Sequence, residues 1–146
     1  MNSDLVTLIG QAIHHCGALE LRVNNGILAL AKDNLLAEHI VTYPFSKRII
    51  LLRKLLIDRS KMKPDDITWL CKELSQISEM RNQVAHNPIA SDDPHIGAAY
   101  ILIVGNAPDK VEKMSCENVK AFVRRTGMVV RRMPELFPPC RNRDRR

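Results

Sequence analysis

The chain of 146 residues is 45% hydrophobic and 26% charged, as folded soluble domains are, which excludes a wholly disordered or collagen-like chain. Its longest apolar run, residues 98–104, is far shorter than the ~20 residues of a membrane-spanning helix, and the first residues lack the basic and apolar segments of a secretory signal. The net charge of +6 is concentrated at one end: from Lys120 onward nine cations face only Glu135 and Asp144, so that segment carries +7 and the remainder −1.

The elements follow in chain order. Leu5, Leu8, Ile9, Ala12, Ile13, Cys16, Leu19, Val23, Ile27 and Leu30 recur at steps of three and four, which predicts one long helix from Asp4 to about Ala31, with Ser3 as its N-cap. Asn34–Val41 reads as a short helix broken at Tyr43-Pro44. Ser46 reads as the cap of a helix over Lys47–Ile57, with Ile49, Leu52, Leu55 and Leu56 inward. Pro64-Asp65-Asp66 is a helix start: proline fits the first turn and the acids complement the helix dipole. The period through Ile67, Leu70, Cys71, Leu74, Ile77 and Val84 then runs to about His86, where Asn87-Pro88 stops it.

Beyond a loop at Ser91–Pro94, the β-branched run Ala98–Val104, a turn at Gly105–Asp109 and Lys110–Met114 predict a small β-hairpin. Ser115 caps a last helix, Glu117 to about Met133, with Val119, Phe122, Val123, Met128 and Val129 inward. Pro134, Pro138 and Pro139 end regular structure ahead of an Arg-rich tail. The expected fold is all-α: four to five helices in a bundle, with a β-hairpin inserted before the last helix. The helical domain would span residues 1–133 and a basic tail residues 134–146.

The four cysteines form no CxxC pair, and the five histidines lack metal-ligand spacing. A reduced, cytoplasmic protein with buried thiols and no metal or other cofactor is the expectation. The basic end suits a polyanion, whether RNA, DNA or an acidic protein surface, and equally suits a solvated tail.

One segment carries residue types that suit catalysis: Glu79-Met-Arg-Asn-Gln-Val-Ala-His-Asn-Pro88. Cleaving RNA without a metal requires a base for the ribose 2′-hydroxyl and a cation for the charge building on phosphate. Imidazole, titrating near neutrality, serves as the base. Guanidinium, always charged and forked, serves as the cation. Asparagine orients either group. On a straight helix Arg81 and His86 diverge by about 140° and about 7.5 Å, whereas Asn82 and His86 share a face. The competing structural reading has His86 binding free carbonyls of the last turn and Arg81 pairing near Glu79 or with the first helix. Trp69 reads as core, His14 and His15 as one solvated and one half-buried, and Glu20 and Arg22 as rim residues.

Arg81-Asn-Gln-Val-Ala-His86 resembles the R-x4–6-H signature of the HEPN domain superfamily, including the polar residue after the arginine. The layout is similar as well: a long first helix, the motif at the end of a later helix, a short excursion and a final helix. The resemblance implies a metal-independent endoribonuclease, a toxin or anti-phage effector acting as a homodimer with both motif copies lining one cleft. A cognate antitoxin protein is a further implied partner. Arg81 would stabilise the phosphorane, His86 would act as base or acid and Asn82 would position one of them. Products would be a 2′,3′-cyclic phosphate and a 5′-hydroxyl. RNA backbone would lie on Arg22, Arg124, Arg125, Arg131 and Arg132. Some members of the superfamily are non-catalytic dimeric binding modules, which is the alternative reading.

Overall fold

The computed structural model describes residues 3–91, 99–104 and 111–136. The order is α1 (Ser3–Ala31), α2 (Asn34–His39), a 3₁₀ turn (Ile40–Thr42), α3 (Phe45–Arg59), α4 (Pro64–His86), β1 (Ile89–Ser91), β2 (Ala99–Val104), β3 (Val111–Ser115) and α5 (Cys116–Leu136). Four long helices make a bundle with a small antiparallel sheet before the last of them. Most of the α1 stripe is buried, with Leu5, Ala12, Leu19, Val23 and Ile27 wholly inaccessible, whereas Ile13 is exposed because it falls about 100° from Ala12 on the helix. Against it pack Leu52 and Leu56 of α3, Leu70, Leu74 and Ile77 of α4, and Val119, Phe122, Val129 and Met133 of α5. Burying each such leucine stabilises the fold by about 1.5–3 kcal/mol relative to exposure.

Local chemistry sets most boundaries. α1 ends at Lys32, whose φ of 56° is left-handed. Its N–H still donates to Leu28 O at 3.2 Å, a helix stop in which glycine is the usual residue. Asp33 caps α2, its carboxylate accepting from the Leu35 and Leu36 amides at 2.9 and 3.4 Å. Ser115 caps α5: its hydroxyl accepts the Asn118 amide at 3.2 Å, and the Asn118 side chain accepts the Ser115 amide at 3.1 Å. This is a capping box with asparagine in the place of glutamate.

Several expectations change in detail. α1 begins at Ser3 itself. α3 begins at Phe45, so Ser46 sits inside the first turn; the Pro44 carbonyl accepts the Lys47 and Arg48 amides at 3.0 and 3.1 Å. α5 runs through Pro134 to Leu136, because Met133 is buried and Leu136 packs on the core. Met128 faces outward at 43% exposure. The buried α5 stripe is Phe122, Thr126, Val129 and Met133, and Met128 falls about 160° from Thr126 on the opposite side. The expected hairpin is present as β2 and β3, with Ile101 paired to Met114 and both buried on the core face. A third strand, β1, pairs Ile89 with Ile101 on the other edge. The loops at 92–98 and 105–110 and the tail from residue 137 lie outside the described residues.

Candidate functional site

Helix α4 carries the motif in its last turns. Its buried stripe steps through Ile67, Leu70, Leu74, Ile77 and Val84. Arg81, seven residues after Leu74 and four after Ile77, stands on that same stripe. A guanidinium thus occupies a position that the period assigns to the core, and it is half-buried there. Arg81 Nη1 donates to Asn82 Oδ1 at 3.2 Å. No carboxylate lies within ion-pair distance of Arg81 among the described residues.

Arg81 and Asn82 open onto a hollow of about 560 Å³ between α1, α3 and α4. Cys16 and Glu20 of α1 form one wall; Pro44, Phe45, Ser46 and Ile49, at the start of α3, form the second. Ser75, Ser78 and Glu79 of α4 complete it beside the motif residues. Arg48 also reaches it, at 8% exposure. Its two terminal nitrogens donate to Asn24 Oδ1 at 2.9 Å and Glu20 Oε2 at 3.1 Å, and its guanidinium lies 5.3 Å from the Phe45 ring centroid. The Arg48 Nε–H is buried without a partner among the described residues. Arg48 is therefore a spent cation and Arg81 an unspent one. Burial pushes the Cys16 thiol up to about 11, against a smaller opposing pull from Arg81, so this sulfur stays a neutral thiol at physiological pH.

His86 does not line the hollow. α4 remains α-helical through His86, so the helix neither tightens nor unwinds to close the angle, and the two side chains diverge by about 140° within one chain. His86 is exposed and lies one turn beyond Asn82, about 40° around the helix. One carbonyl of the last turn, Gln83 O, accepts from Asn87 Nδ2 at 2.8 Å. The end of α4 is further pinned by Leu102 N, which donates to Pro88 O at 2.9 Å and ties the motif to the central strand. His86 has no hydrogen-bond partner among the described residues.

The cations expected on RNA divide into two kinds. Arg125 binds both carboxylate oxygens of Glu73, at 2.6 and 3.0 Å, and donates to Gln76. That hydrogen bond, outweighing burial, holds the Glu73 carboxyl below the usual range. Arg132 lies 4.1 Å over the Trp69 ring and 3.6 Å from Asp66. Both arginines thus tie α5 to α4. Arg124 and Arg131 are exposed, seven residues apart on one face of α5. Arg22 stands about 160° around α1 from Glu20, away from the hollow and on the flank of His15.

His15 is half-buried and His14 exposed. Thr126 donates its hydroxyl to Val123 O at 2.9 Å, so the 3.1 Å contact to His15 Nδ1 is a bond donated by the imidazole. Sequence reasoning missed Arg48, Phe45 and the pairing of Glu20. The available signal was Glu20 and Asn24, four apart on one helix face and able to grip one cation from a neighbour.

No group of three or more His, Cys, Asp or Glu is placed to hold a metal among the described residues. No described helix is long and apolar enough to cross a membrane. No protein-family model matches the chain, and none of the curated proteins or solved structures does.

Proposed function

We propose that the chain is a metal-independent endoribonuclease, an effector of the toxin type, that works as a homodimer. The observation that carries this reading is that, among the described residues, the Arg81 and His86 side chains bond to no group outside the motif. Among the described residues Arg81 pairs with no carboxylate, its side chain bonds only Asn82, and His86 has no hydrogen-bond partner. A half-buried guanidinium with no carboxylate partner among the described residues is costly for a fold to keep and suited to an anionic substrate.

In this reading His86 takes the proton of a ribose 2′-hydroxyl. The 2′-oxygen attacks phosphorus and the P–O5′ bond breaks, leaving a 2′,3′-cyclic phosphate. The 5′-oxygen takes a proton from His86 of the partner subunit. Arg81, held by Asn82, carries the charge that develops on the phosphoryl oxygens. A two-fold axis near the end of α4 supplies the convergence that a single chain lacks. Arg124, Arg131 and Arg22, which are not tied to carboxylates among the described residues, remain for RNA backbone.

The test is incubation of the purified chain with single-stranded RNA in excess chelator, with the product ends read by mass spectrometry. Cleavage leaving cyclic phosphates, reduced at least 100-fold in both Arg81→Ala and His86→Ala with folding intact, is the expected result. Equal cleavage by wild type and both variants, or none by any, overturns the reading. The 140° divergence of Arg81 and His86 favours a second reading, a non-catalytic dimeric binding module. That module would dimerise without cleaving RNA under any of these conditions.

A further inference from the structure

We propose that the hollow between α1, α3 and α4 is a subsite for one nucleotide of a single RNA strand, its base against Phe45 and its phosphate on Arg81. The inference rests on the ribonuclease reading and names what that site holds beside the bond it breaks.

The hollow, at about 560 Å³, falls within the ~300–1,000 Å³ typical of small-molecule sites. Its walls are chemically divided. Phe45 and Ile49 make the α3 side apolar, while Ser78, Asn82 and Arg81 make the α4 side polar. The half-exposed Phe45 ring carries the Arg48 guanidinium over it at 5.3 Å and offers its remaining exposed surface to a base. Ser46 and Ser78 have no hydrogen-bond partner among the described residues, so both hydroxyls remain for base edges or ribose. Ser75, by contrast, is already spent on Cys71 O at 2.9 Å.

The charge balance sets how much phosphate fits. Arg48 is neutralised by Glu20 at 3.1 Å, and Glu79 stands exposed on the wall. Among the described residues that line the hollow, Arg81 is then the cation without a carboxylate partner. One cation facing one carboxylate at the rim suits a monophosphate, and the carboxylate repels the further charges of a triphosphate. A base seated against Phe45 must leave its stack and its pairing partner, so the substrate class is single-stranded RNA.

The experiment uses the full chain, isotopically labelled, titrated with ribonucleoside 3′-monophosphates, with inorganic phosphate and with a ribonucleoside triphosphate while amide resonances are followed. Saturable shifts at Phe45, Ser78, Arg81 and Asn82 with a 3′-monophosphate are expected, with at least tenfold weaker binding of inorganic phosphate and of the triphosphate. Phe45→Leu, which keeps apolar volume but removes the stacking face, should weaken binding about tenfold. Ser78→Leu, which fills the hollow from a helical position, should abolish it with the melting temperature unchanged. Shifts located elsewhere, no saturation, or inorganic phosphate binding as tightly as the nucleotide overturns the subsite. Loss of RNA cleavage with nucleotide binding intact sinks the nuclease reading alone; cleavage unaffected by Ser78→Leu sinks the subsite alone.

Discussion

The guanidinium of Arg125 spans the seam between α4 and α5 to both carboxylate oxygens of Glu73, at 2.6 and 3.0 Å. The two residues are 52 positions apart in sequence. Glu73 is 9% exposed, so losing its partner leaves a largely buried carboxylate uncompensated. Arg125→Ala should cost about 2 kcal/mol in denaturant unfolding. Arg124→Ala, one residue away and exposed, should cost under about 0.5 kcal/mol. If the exposed arginines hold RNA backbone, Arg124→Ala lowers the salt dependence of RNA binding and Arg125→Ala leaves it unchanged.

The same pair makes stability depend on acid. The Glu73 pKa is depressed in the folded state, first by the Arg125 hydrogen bond. Its contribution is therefore fully present above the unfolded carboxylate pKa, about 4.3, and is lost as pH falls through the lower folded value. Chemical denaturation across pH 5 to 2 should show a fall in stability that is smaller in Glu73→Gln.

Arg81 occupies a core-stripe position on α4, between Ile77 and Val84. Arg81→Leu should raise unfolding stability by roughly 1 kcal/mol, since it exchanges a half-buried cation that is unpaired among the described residues for packing, and under the proposed nuclease function it should also abolish RNA cleavage. His86→Ala should leave the melting temperature within about 1 °C, because His86 is exposed and bonded to nothing among the described residues. A large loss of stability in His86→Ala would assign it a structural duty instead.

Cys16 is 4% exposed and its thiol titrates near pH 11, raised first by burial. A folded pKa above the unfolded one means that stability is fully present below pH ~9 and declines as pH rises toward 11. Across that window the chain should lose stability from this group, and Cys16→Ala should flatten the decline. In the native state at pH 8 a thiol-reactive dye should label Cys16 far more slowly than in denaturant.

Gly127 lies in α5 where a Cβ would stand 3.4 Å from His15 Cε1 and 3.4 Å from Arg131 Nη1. Alanine just fits, so Gly127→Ala should gain about 0.5–1 kcal/mol from helix propensity. Gly127→Leu drives into the His15 ring and should lose about 1–3 kcal/mol. Thermal melts of the two variants, shifting in opposite directions, check both.

Features fixed by neighbouring residues were legible early. Pro64-Asp65-Asp66 and Asn87-Pro88 bracket α4 because proline and helix-end chemistry act over a turn or less. Ser115 was recognisable as a cap for the same reason. Strand β1 was not, since three residues carry too little pattern and gain their structure from the free edge of β2. Within the candidate site, the motif residues were visible as types and spacing. The hollow was not, because its walls come from α1, α3 and α4, and its depth depends on how those helices dock.

Composition and periodicity alone therefore determined an all-helical bundle with a small sheet, the end of α4 as the place where arginine, asparagine and histidine gather, and an excess of positive charge in the last fifth of the chain. Each follows from turn-scale geometry or from counting. Docking of the helices decided which cations are consumed and which are left. Arg48 pairs with Glu20 across 28 residues and Arg125 with Glu73 across 52, while Arg81 forms no ion pair among the described residues. Charge neutralisation acts over a few ångströms of space, whatever the separation along the chain, so the packed fold determines which arginines remain for an anion.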